Sequence, residues 1–296
     1  MPTPLQERLL IELTKLKASP SDTGLDKDGI NIILHEYNIA NPTKCPIRLI
    51  DRKYIIDEIE QEVSKKPVIA RNQQFIVKIA EHYCVVDLDI NEQGEFLSLV
   101  LDAANDLRFL DLVEEISQLA TLQKLYLVTG LTSKHNIHKD SVSCPIFALS
   151  HAFALNKKSL YRHLEKKEVT KTKFNEHALD VKWHHMPPEI IVNCQSSTLW
   201  EKYKQDCSKA FRLPNDYFEE YDNFRKDMQI RSAEIDKEAA TMFQSNIIPA
   251  VFEAMAEKAK QFVLNHQDSE LEKIINPMLL SPIQEIEDRS SWKKDI

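Results

Sequence analysis

The texture of the chain changes at Gln74, and this change constrains the fold more than any other feature. Phe75-Ile-Val-Lys-Ile-Ala80 reads as a strand by its β-branched content, and Tyr83-Cys-Val-Val-Asp-Leu-Asp-Ile90 reads as a second. Asn91-Glu-Gln-Gly94 has turn chemistry, and Glu95 to Leu101 is a third strand with an apolar run. Apolar runs of this kind imply a sheet buried on both faces. Helical patterns surround it. Leu5, Leu9, Leu10, Leu13 and Leu16 recur at helical spacing, a second helix covers Gly29 to Tyr37, and Asp51 to Lys65 sets Ile55, Ile56, Ile59 and Val63 on one face. The first 66 residues therefore read as almost wholly helical. Beyond the third strand, a helix from about Leu107 to Leu122 precedes a fourth strand, Lys124 to Thr129. The expected class is α+β, a small mixed sheet with flanking helices.

Only 4 glycines stand against 13 prolines, which disfavours a turn-rich all-β fold or a glycine-loop nucleotide fold. The net charge of −8 argues against a general nucleic-acid-binding role. Five scattered cysteines without a C-x-x-C pair indicate neither a disulfide framework nor a zinc knuckle, so reduced thiols and no metal are expected. No apolar run approaches the roughly 18 residues of a membrane span. The opening Met-Pro-Thr-Pro-Leu-Gln-Glu-Arg lacks the apolar core of a signal peptide.

The polar run Lys139-Asp-Ser-Val-Ser leads to Cys144-Pro-Ile-Phe-Ala-Leu-Ser150. Pro145 suits a helix start, because its missing N–H would have no partner there. A thiol in that first turn meets unpaired N–H groups and the positive end of the helix dipole, which favour thiolate. A core cysteine at a helix start would look the same.

His82 and Asp102 discriminate between the two. With the turn centred near Glu92 they lie opposite each other on adjacent strands, about 5 Å apart at Cα and on one face. A slip of one residue in the pairing would separate them to opposite faces. Brought to Cys144, they would form Cys–His–Asp. His82 would take the thiol proton and later return it, and Asp102 would fix the tautomer and stabilise the imidazolium.

These residues carry a resemblance. His82-Tyr-Cys-Val-Val-Asp87, then Ser98-Leu-Val-Leu-Asp102-Ala-Ala-Asn105, then Ile137-His-Lys-Asp-Ser-Val-Ser-Cys144-Pro-Ile-Phe-Ala-Leu resemble the three catalytic blocks of the YopJ family. Met186-Pro-Pro-Glu-Ile-Ile-Val-Asn-Cys-Gln195-Ser-Ser-Thr-Leu-Trp-Glu-Lys-Tyr203 is similar to a fourth block that follows that core. The resemblance covers about residues 45 to 205. It implies a clan CE cysteine-protease-like (papain-like) core that acts as an acetyltransferase. Acetyl-coenzyme A would be the donor, and Ser, Thr or Lys of a host protein, such as a signalling kinase, the acceptor. It also implies a bacterial effector secreted through a type III or IV system and acting in the host cytoplasm. A ubiquitin or ubiquitin-like protease would use the same trio, but clan CE proteases commonly carry Trp after the histidine where this chain has Tyr83. A catalytically decayed binding scaffold is the third reading.

The chain departs from the family pattern in places. The acid is usually Glu and here is Asp102. The position six residues before the cysteine, usually a Gln of the oxyanion hole, is His138, whose N–H could serve. The family's activator, inositol hexakisphosphate, needs converging cations. Val192-Asn193 replaces a Lys-His pair, and Ser197, Thr198 and Leu199 replace basic residues. Lys166, Lys167, Lys171, Lys173, Lys182, His184 and His185 fit either a shifted anion site or a solvated face, so no residue is assigned.

The expected division is a helical region over 1–66, a catalytic core over 67–165, a regulatory segment over 166–212 and a helical extension over 213–296. In the last, Phe218, Tyr221, Phe224, Met228 and Ile235 form one stripe, and Phe252, Met255, Ala259, Phe262 and Val263 another. Such stripes pack intramolecularly or serve as a partner-binding arm.

Overall fold

The computed structural model describes residues 1–16, 25–65, 70–103, 109–129, 143–165, 170–171, 178–194, 197–214, 216–235 and 247–276. Its centre is a seven-stranded sheet. The strands are β1 (Ile47–Asp51), β2 (Arg71–Ile79), β3 (His82–Ile90), β4 (Phe96–Asp102), β5 (Leu122–Thr129), β6 (Thr170–Lys171) and β7 (Ala178–Asp180), in the spatial order β1-β2-β3-β4-β5-β7-β6. β2, β3 and β4 form an antiparallel meander. β1 runs parallel to β2, β5 runs parallel to β4, β7 runs parallel to β5, and β6 runs antiparallel to β7.

Successive side chains of a strand point to opposite faces, so the sheet feeds two cores. On one face Tyr83, Val85, Leu99, Leu101 and Tyr126 meet helix α5 (Cys144–Lys157) through Phe147, Leu149 and Phe153. On the other, Phe75, Val77, Cys84, Val86 and Val100 meet α3 (Ile55–Ser64) and α4 (Leu110–Ser117). Of the 14 residues of α5, 11 are buried, which explains why its sequence is apolar all round rather than striped. The far end of α5 is tied down by polar groups. Asn156 Nδ2 donates to Cys45 O at 2.8 Å and to Gln74 Oε1 at 3.0 Å, and Gln74 Nε2 donates to Asp87 Oδ1 at 2.7 Å.

The N-terminal helices α1 (Pro4–Thr14) and α2 (Lys27–Ala40) pack on the α5 side together with the last described helices, α10 (Ile248–Asn265) and α11 (Asp268–Ile275). Between them in sequence lie the short α6 (Tyr161–Leu164) and α7 (Pro188–Ile191), then α8 (Ser197–Phe211) and α9 (Glu219–Ile235). Phe252, Ala256, Phe262 and Val263 join the same core as Leu9, Leu13 and Ile33. Gln6 Nε2 donates to the carbonyls of Val263 and His266, each at 3.0 Å. This apolar stripe is therefore spent inside the molecule. No described helix is long and apolar enough to cross a membrane.

Two expectations need correction. The first 66 residues are not almost wholly helical, because Ile47–Asp51 joins the sheet as β1. The hairpin register also differs. Ile90 faces Phe96, so five residues form the turn. Asn91 Oδ1 accepts from the N–H groups of Gln93 and Glu95, each at 3.0 Å, and Gly94 takes a φ of 81° that glycine tolerates without strain. The turn centres on Gln93 rather than Glu92, and the register moves by two. Val85 faces Leu101, so by extension Cys84 faces Asp102 and His82 is its diagonal neighbour. A shift of two keeps both side chains on one face.

Candidate active site

Three elements converge at one end of the sheet. His82 opens β3 directly after a tight turn, since Ile79 faces His82 and only Ala80 and Glu81 lie between them. Ala80 has a φ of 54°, a left-handed value that costs a residue with a Cβ about 1 kcal/mol. Asp102 closes β4, where β5 covers it through the pairing of Asp102 with Thr129. Cys144 is the first residue of α5.

His82 Nε2 and Asp102 Oδ1 are 2.7 Å apart, with His82 3% and Asp102 0% exposed. Such a pair has the imidazole donating from Nε2, which leaves Nδ1 for the thiol. By strand parity both side chains belong to the face of Cys84 and Val86, whereas α5 covers the opposite face. Cys144 therefore meets the imidazole around the end of the sheet, at the Ala80–Glu81 turn. Its Sγ donates to Glu81 O at 3.6 Å.

The electrostatics of His82 follow from this geometry. Burial is the largest influence and by itself opposes the imidazolium. Hydrogen bonds to Asp102 and then to Cys144, with electrostatic interactions with the same two residues, outweigh it and raise the His82 pKa to about 10. The imidazole is thus held in its charged form against its own desolvation. Two other thiols are set apart by burial, which pushes Cys84 well above the ordinary range and Cys45 up to about 11.

The first turn of α5 supplies a donor. The N–H groups of Ile146 and Phe147 both donate back to Ser143 O, at 3.0 and 3.1 Å, and Pro145 has none. The Cys144 N–H is the first-turn donor left beside the sulfur among the described residues. His138, the expected oxyanion residue, lies outside the described residues.

No described basic residue is assigned to the anion site that the family implies. Lys166, Lys167 and Lys173 lie outside the described residues, as does the side chain of Lys171. His185 is buried, stacked edge-on against His184 at 4.5 Å and packed on Phe211. One buried cation escaped sequence reasoning. Arg225 of α9 is 3% exposed, donates to the carbonyls of Val192 and Cys194 and lies over the Trp200 ring at 5.5 Å. Its signal, an arginine inside an aromatic stripe, resembles any exposed basic residue of a helix.

Fold and site together define an α+β chain in which a thiol, an imidazole and a carboxylate converge at the end of a mixed sheet. The family profile described as YopJ Serine/Threonine acetyltransferase matches residues 8–237. The chain belongs to this family, and it is an acetyltransferase. Members of the family are secreted bacterial effectors that act in host cells.

No curated protein matches the chain. Among solved structures, an AvrA deletion variant with IP6 and CoA is similar at 15% identity over 69% of this chain and 79% of that one, with a TM-score of 0.47. HopZ1a in complex with IP6 and CoA is similar at 13% identity over 69% and 73%, with a TM-score of 0.49.

Proposed function

We propose that Cys144 carries the acetyl group between acetyl-coenzyme A and a Ser, Thr or Lys of a host protein. The observation that carries the reading is the buried 2.7 Å contact between His82 and Asp102 beside the only thiol that heads a helix among the described residues. With the proton of the Cys144 thiol held on His82 Nδ1, the thiolate attacks the thioester carbon. The Cys144 N–H donates to the developing oxyanion. When the C–S bond to coenzyme A breaks, His82 returns the proton to the departing thiolate. The acceptor hydroxyl or amine then loses its proton to His82 and attacks the acetyl-cysteine, and the Cys144 thiolate leaves.

Acetylation of Cys144 removes both contributions that the sulfur makes to the imidazolium. The His82 pKa then falls, which suits its second task as a base. Asp102 holds the ring through both half-reactions.

By kinship we assign acetyl-coenzyme A as donor and inositol hexakisphosphate as activating ligand, with no residue allotted to the latter. The same kinship suggests export through a type III or IV system, a core over 67–165 and a regulatory segment over 166–212. Initial rates with acetyl-coenzyme A and a host kinase should give parallel double-reciprocal lines, and Cys144→Ala should abolish transfer. Intersecting lines, or transfer that survives the substitution, would sink the covalent route.

A further inference from the structure

β1 is the outermost strand on its side of the sheet, and it borders a groove of about 1600 Å³. In a parallel pair, successive residues direct their N–H and C=O to alternate sides. Ile47 turns both groups outward. Its N–H donates to Asn38 Oδ1 and its C=O accepts from Asn38 Nδ2, each at 3.0 Å. Leu49, two residues on, has the same orientation, so its N–H and C=O face the groove without a partner among the described residues. The Asn38 amide thus supplies the first rung of a further strand, and the next rung is open.

The surroundings of that edge specify what would fill it. Ile39, 59% exposed, and Ile274 offer apolar contact on either side. Lys27, Lys78 and Lys273 line the groove without an ion pair among the described residues. Of the acidic residues there, Glu58 is neutralised by Arg48 at 2.9 Å, and Glu270 accepts from the Gln267 N–H. Asp51 and Glu270 are left against three lysines, because a backbone N–H does not cancel the Glu270 charge. A chain with a net charge of −8 therefore presents a locally basic groove beside an open strand edge.

We propose that this edge receives an extended acidic segment of a second protein as an added strand, its backbone pairing with Leu49 and its carboxylates with the lysines. The inference is independent of the acyl-transfer reading. Leu49→Pro removes the outward N–H yet leaves the β1–β2 ladder its donors, because that N–H is not part of the ladder. Lys27→Glu with Lys273→Glu changes only exposed positions.

The test is fluorescence anisotropy of a fluorescein-labelled peptide of alternating Val and Glu, titrated with the full chain. Saturable binding that weakens about tenfold in each variant, and that a Val-Lys peptide does not show, supports the proposal. Four results would overturn it. One is no saturable binding, and another is equal binding by all three proteins. A third is a dimer of the chain that Leu49→Pro disperses, which makes the edge a self-association site. The last is binding seen only after truncation at Asn276, which makes the groove a seat for the chain's own segment.

Discussion

Asp102 accepts from His82 across the diagonal of the β3–β4 hairpin at 2.7 Å, and no part of the carboxylate side chain is exposed to solvent. Buried in this way the pairing is strong, and it must also offset the desolvation of the imidazolium. Asp102→Asn keeps the shape and removes the charge. We expect acetyl transfer to fall about 10²-fold or more, as for loss of an oriented acid–base group, with the fold intact by circular dichroism. An activity within a few-fold of wild type would leave the carboxylate without a role.

The His82 pKa also links stability to pH. Its folded value of about 10 lies above the ordinary 6.5. The folded state therefore binds the proton more tightly, and the resulting stability is fully present below about pH 6.5. It is lost as pH rises towards about 10. His82→Gln should flatten this decline in urea midpoints measured between pH 6 and 10. Parallel curves for the two proteins would contradict the assigned charge state.

Asp87 should show the opposite ionic preference. Burial, its dominant influence, raises the carboxyl pKa to about 7 against the hydrogen bond from Gln74, which lowers it. The native state then binds more protons than the unfolded chain between about pH 4 and 7, so this group reduces stability as pH rises through that window. Asp87→Asn, still able to accept from Gln74 Nε2, should raise Tm above pH 7 and lose that advantage near pH 4.

The Ala80–Glu81 turn is a local test of how the site is aimed. Ala80→Gly relieves the left-handed φ of 54° and should stabilise the protein by up to about 1 kcal/mol. The gain is reduced by the greater freedom of glycine in the unfolded chain. Ala80→Val should destabilise and also lower the transfer rate, because the carbonyl of Glu81 faces the Cys144 sulfur. Denaturant midpoints and acetylation rates of the two variants check both halves.

Much of this architecture was readable from residues. The apolar β-branched runs before and after Tyr83 became β2 and β3, and Cys144-Pro145 became a helix start as their chemistry dictates. The pairing of His82 with Asp102 survived a misplaced turn centre only because moving the centre by one residue shifts the register by two and keeps the face. β1 was not readable. Ile47-Arg-Leu-Ile-Asp51 is short and part-exposed, and its pairing with β2 is a tertiary contact that local pattern does not carry. The meeting of Sγ with Glu81 O was equally hidden, because it depends on a backbone carbonyl and on which end of the sheet α5 reaches.

The central claim is that Cys144 holds the acetyl group and that His82 makes this possible. Protein incubated with acetyl-coenzyme A, quenched in acid and mapped by peptide mass spectrometry tests it most directly. The account predicts a hydroxylamine-labile acetyl on Cys144 in the wild type and little or none in His82→Ala. An acetyl group found only elsewhere, or formed on Cys144 equally fast without the imidazole, would contradict it.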